Sequence, residues 1–138
     1  MRRSALSALC ALGLLAACAS PEKAEPAAAS AVTGTVTYRE RILLPPTSTL
    51  TVRLEDVSRA DAPATTLAEQ TRVIGPNAPP YPFRLKYEPG WIEPNHTYAV
   101  RAEIHEPDGT LRFTTTTRHA VLTQGAPSEV EIVMEAAH

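Results

Sequence analysis

From Val32 onward the apolar residues recur at every second position, in short runs cut by proline and glycine. That period belongs to a half-buried β-strand and to no helix. Val32, Gly34, Val36 and Tyr38 share one face, with Thr33, Thr35 and Thr37 on the other. Leu50, Val52 and Leu54 alternate with Thr51, Arg53 and Glu55, and Tyr81, Phe83, Leu85 and Tyr87 with Pro82, Arg84, Lys86 and Glu88. Tyr98, Val100, Ala102 and Ile104 form a fourth run, Leu111 and Phe113 a fifth, and Val130, Ile132 and Met134 the last. Leu67, Thr71 and Val73 are less regular and suit an edge strand. The pattern predicts an all-β chain: one β-sandwich of about seven to eight antiparallel strands, Greek-key-like in connection.

The breaks carry turn chemistry. Pro107-Asp108-Gly109 joins two strong runs and predicts a tight hairpin with Gly109 at positive φ. Asn95-His96-Thr97 has the form of a glycosylation acceptor, but Asn95 fits better as a tolerant turn residue. Trp91 to Tyr98 places a tyrosine at the opening of a strand after a corner. It resembles a tyrosine corner, whose hydroxyl bonds the backbone a few residues upstream. Thr114 to Thr117 read as extended strand, because β-branched residues fit a pleated surface. Aromatic residues are 5% of the chain, so Val, Leu and Ile must build most of the core.

The N-terminus is of another kind. Arg2 and Arg3 precede an apolar run from Ala5 to Ala17, too short for the roughly 20 residues of a membrane span and suited to a secretory signal. Leu15-Ala16-Ala17-Cys18 resembles a bacterial lipobox. That resemblance implies a signal peptide over 1–17, cleavage before Cys18, and acyl chains on Cys18 that hold the protein to a membrane. Each buried methylene would contribute about 0.8 kcal/mol to the anchor. Ala19 and Ser20 follow in place of an aspartate, which for such lipoproteins favours the outer membrane, facing the periplasm. Residues 18–31, rich in alanine and proline, read as a flexible tether, and 32–136 as the folded domain. Cys10 goes with the signal and lipid occupies Cys18, so no disulfide is expected.

Without Arg2 and Arg3 the 13 basic residues become 11 against 15 acidic ones, a formal charge of −4. That balance argues against nucleic acid as a partner. No catalytic pattern is visible. The four histidines, His96, His105, His119 and His138, lack metal-ligand spacing, and there is no nucleophile elbow or phosphate-cradling loop. The acidic residues are spread along strand exteriors, so no carboxylate pair stands out. No enzyme activity, cofactor or metal is expected. One stretch invites a binding role. Ile42, Leu43 and Leu44 stand together just before Pro45-Pro46, either capping the open end of the sandwich or offering an apolar contact for a partner.

Taken together, these segments resemble the YbaY-type bacterial lipoprotein family. The residues that carry the likeness are Val32-Thr33-Gly34-Thr35-Val36-Thr37-Tyr38-Arg39-Glu40-Arg41, Leu44-Pro45-Pro46 and Leu50 to Pro63. Pro82-Phe83 with Tyr87, Tyr98 to Ala102 with Ile104, and Asp108-Gly109 with Leu111 extend it over about Val32 to Glu135. The family is related to YscW-type lipoprotein chaperones, or pilotins, of type III secretion. The resemblance implies a β-sandwich lipoprotein that binds an outer-membrane or secretion-system protein and acts as an assembly chaperone. The alternative is a small-molecule or cell-wall glycan binding module, with Trp91 beside Tyr87 as a stacking surface.

Overall fold

The computed structural model describes residues 30–138. The expected signal peptide, Cys18 and most of the tether lie outside the described residues. Eight strands follow in order: β1 (Ala31–Tyr38), β2 (Thr49–Asp56), β3 (Thr65–Val73), β4 (Tyr81–Lys86), β5 (Tyr98–His105), β6 (Leu111–Thr114), β7 (His119–Val121) and β8 (Glu129–Ala136). One short 3-10 turn, Pro89–Trp91, precedes β5. Every strongly alternating run of the sequence is a strand, and the irregular run is β3, which pairs with β2 alone.

The strands run β3-β2-β5-β6-β8-β1-β4, with β7 continuing beside β5. The β4-β1-β8 layer covers the β3-β2-β5 layer, and β8 joins them by leaving β1 for β6 near its end. The result is a sandwich almost closed into a barrel. Between the layers lie Val32, Val36, Leu50, Val52, Leu54, Leu85, Ile104 and Ile132, all essentially without solvent contact. Tyr38 stacks on Phe113 with ring centres 4.3 Å apart, bringing β1 against β6.

One pairing departs from the expected antiparallel set. β1 and β8 run parallel, with Gly34 opposite Val130 and Val36 opposite Ile132. Thr33 N–H donates to Ser128 O at the entry, so the last strand starts from the same end as the first. Gly34 is what lets it close: a Cβ there would stand 1.8 Å from Val130 O. The threonine run also differs from expectation. Only Thr114 is in a strand; Thr115 to Thr117 lie in the break between β6 and β7. The Pro107-Asp108-Gly109 turn forms as read, with Gly109 at φ 89° and Gly109 N–H donating to Glu106 O.

Candidate functional site

Among the described residues, three places could host chemistry or contact. The first is the loop between β1 and β2. Tyr38 hydroxyl donates to Ile42 O, Ser48 N–H to Pro45 O, and Gly75 N–H to Pro46 O. These bonds fold Leu44 inward and leave its neighbours outside. Leu44 is 4% exposed, whereas Ile42 is 39% and Leu43 68% exposed. The three aliphatics therefore do not act together: Leu44 caps the core, and only Ile42 and Leu43 are open to a partner. The prolines do not end β1, which stops at Tyr38; they shape the link.

The second place is the corner before β5. Tyr98 is buried, and its hydroxyl accepts from Glu93 N–H at 2.9 Å and donates to Trp91 O at 3.3 Å. The expected tyrosine corner is thus formed. Beside it, His96 Nδ1 meets Asp56 Oδ2 at 2.6 Å and Nε2 meets Glu93 Oε2 at 2.7 Å. The sequence gives His96 no metal-ligand spacing and shows no paired carboxylates beside it. Asp56 and His96 are 40 positions apart, and only the β2–β5 pairing of Asp56 with Tyr98 brings them together. Burial pushes the Asp56 carboxyl up, but hydrogen bonds from the Ser58 hydroxyl and amide and from His96 outweigh it and hold it below its ordinary range.

This corner contains Ser, His and Asp, but it is not wired for nucleophilic catalysis. Ser58 hydroxyl donates to Asp56, not to His96, and its oxygen accepts from Thr97 N–H. Both ring nitrogens of His96 already face carboxylates, so no base is aimed at a nucleophile. Among the described residues no three His, Cys, Asp or Glu side chains form a metal-binding group. The cluster ties the end of β2 to the corner.

The third place is the seam where the sheet fails to close. β3 and β4 are the two ends of the strand order and face each other. Ile74 N–H bonds Ser48 O, so by alternation Glu69, Thr71 and Val73 turn their backbone groups to the free edge. On β4, Tyr87 N–H bonds Ser30 O, so Pro82, Arg84 and Lys86 face the seam. Pro82 has no N–H, and Arg84 N–H is taken by the Gln70 side-chain oxygen at 3.0 Å. Arg72 lies over the Tyr81 ring at 5.9 Å. Polar side chains thus seal the upper seam, a common protection of strand edges.

Below Gln70 the seam opens into a groove of about 460 Å³, with Leu67 and Glu69 on one wall and Arg84 and Lys86 on the other. Leu67 is the extra residue of a β-bulge, between Ala68 opposite Leu54 and Thr66 opposite Glu55. Trp91 reaches the groove from the 3-10 turn and is 52% exposed. It lines the groove together with Leu67, while Tyr87, its expected stacking neighbour, packs against the core and does not line the groove. The irregular β3 pattern hid this groove from sequence reading.

The described residues thus form a small sandwich with a hydrogen-bonded corner, an open seam and half-exposed apolar side chains. Residues 27–134 match the family described as type III secretion system lipoprotein chaperone (YscW). The chain belongs to that family. It is 38% identical over 94 residues to the uncharacterized lipoprotein YbaY of Escherichia coli strain K12, across 68% of this chain and 49% of that protein. The chain thus spans about half the length of that curated relative. Among solved structures it is similar to an alternative pilotin from the type II secretion system of Vibrio cholerae, with TM-score 0.74 and 43% identity over 78% of this chain and 96% of that one. The resemblance read from Val32 to Glu135 is therefore correct in family and in fold.

Proposed function

We propose that this chain is a pilotin-like carrier: a lipoprotein, held to the outer membrane through Cys18, whose sandwich binds an envelope or secretion-system protein and brings it to that membrane. The supporting observation is that the same eight-stranded domain matches a chaperone family model and nearly the whole of a solved pilotin. The physical division of labour is simple. Acyl chains supply membrane affinity, about 0.8 kcal/mol per buried methylene, and the sandwich supplies partner affinity. Neither part requires catalysis. Ile42 and Leu43 are available as a peripheral contact; Leu44 is not.

Deleting the gene and measuring detergent-resistant secretin multimers in outer-membrane fractions tests this reading. The expected result is loss of multimers or their retention in the inner membrane, together with recovery of a stable envelope partner on the purified full chain. Unchanged assembly and no recovered partner would sink it. A second reading rests on Trp91, whose half-exposed ring, lining the same hollow as Leu67, is a surface on which a sugar ring could stack. Trp91 emission that stays flat across a panel of cell-wall fragments counts against that reading.

A further inference from the structure

The lower seam has a charge pattern as well as an apolar floor. Arg84 and Lys86 stand along it, and Arg72 stands beyond Gln70 in the sealed upper seam, over Tyr81. Among the described residues none of the three forms an ion pair. Arg72 Nε is buried without a hydrogen-bond acceptor. The one acid on the groove wall, Glu69, is committed to Arg53 at 2.7 Å. That bond is the leading cause that raises Arg53 above its ordinary pKa. Glu88 follows in the chain but lines neither hollow. Unpaired cations therefore flank an apolar floor of Leu67 and Trp91, in a chain whose overall charge is negative.

The geometry points to a docking groove for an acidic amphipathic peptide segment of the carried protein, with an apolar side chain against Leu67 and Trp91 and carboxylates on Arg84 and Lys86. This deepens the carrier reading and rests on it. Charge complementarity selects the partner: a basic segment would meet Arg84 and Lys86 as like charges. The aromatic anchor supplies contact at small entropic cost, and tryptophan, once a partner covers it, is among the residues in which binding energy concentrates. The sealed upper seam fixes where the segment sits. Gln70 already satisfies Arg84 N–H, so the segment lies below it and does not insert as a strand between β3 and β4.

The test uses the full chain in detergent. Trp91 is the one tryptophan of the sequence, so its emission reports the groove directly. The probes are a 16-residue peptide of glutamate and leucine at helical spacing, the same peptide with lysine for glutamate, phosphatidylglycerol vesicles, and N-acetylglucosamine oligomers. The glutamate peptide should shift Trp91 emission saturably. Arg84→Glu with Lys86→Glu should weaken it at least about tenfold, and the milder Arg84→Gln with Lys86→Gln should fall between. Equal binding of the lysine peptide, preference for vesicles or oligosaccharide, no binding of the glutamate peptide, or indifference to the charge variants overturns the assignment. The same variants are then used to recover the envelope partner from membranes. Undiminished recovery with Arg84→Glu and Lys86→Glu removes the groove and leaves the carrier reading standing. Failure of the wild-type chain to recover any envelope protein removes the carrier reading and the groove with it.

Discussion

At the scale of single residues, four positions show how unevenly stability is distributed. Gly34 has no room for a methyl group, since Val130 O would stand 1.8 Å from it. Gly34→Ala should destabilise by on the order of 3 kcal/mol by forcing β1 from β8, read as a lower urea midpoint. The Tyr98 hydroxyl holds the corner that carries Trp91, so Tyr98→Phe should cost about 1–2 kcal/mol. Its Trp91 emission should also move toward that of a freer indole. His119 behaves differently. Burial holds its imidazole below the ordinary pKa, so the unfolded chain takes up the proton first as pH falls. Its contribution is complete above about pH 7 and is lost as pH drops through the histidine range. Urea midpoints at about pH 7.5 and 5.5 should therefore differ more in the wild type than in His119→Gln. Asp56, held below its ordinary range, acts in a separate window: its contribution is present above about pH 4 and is lost below it.

At the scale of elements, the strands were legible because each has one dry face, and a dry face writes itself as alternation. Tyr81, Phe83 and Leu85 are buried while Pro82, Arg84 and Lys86 are exposed, as their spacing demands. β3 was faint for a physical reason. It is an edge, its inward positions Ala68, Gln70 and Arg72 are small or polar, and the bulge at Leu67 breaks its phase. The parallel β1–β8 pair was not legible, because alternation fixes faces and leaves neighbours and directions open. The His96 cluster was hidden likewise: its partners meet only through strand pairing. The β1–β2 link gives the sharpest contrast. Leu44→Ala should destabilise by about 2–4 kcal/mol, because it empties a buried site. Leu43→Ala, at a side chain mostly in solvent, should stay within about 0.5 kcal/mol. Thermal or urea unfolding of the two variants side by side decides whether the aliphatic row divides as the structure divides it.

At the scale of the whole molecule, the proposed carrier separates holding from delivery. The sandwich would do the holding, through surfaces that the β-pattern and the open seam place on it. Delivery would fall to Cys18 of the lipobox-like Leu15-Ala16-Ala17-Cys18. The two should therefore be separable by one substitution. In cells carrying Cys18→Ser, retained in the periplasm by an exchanged signal peptide, the partner should still co-purify with the sandwich but should no longer fractionate with the outer membrane. The measurement is the distribution of that partner between inner- and outer-membrane fractions, with Cys18→Ser beside the wild type. A shift of the partner away from the outer membrane, with binding intact, is the predicted result. An unchanged outer-membrane distribution of the partner would contradict the carrier account.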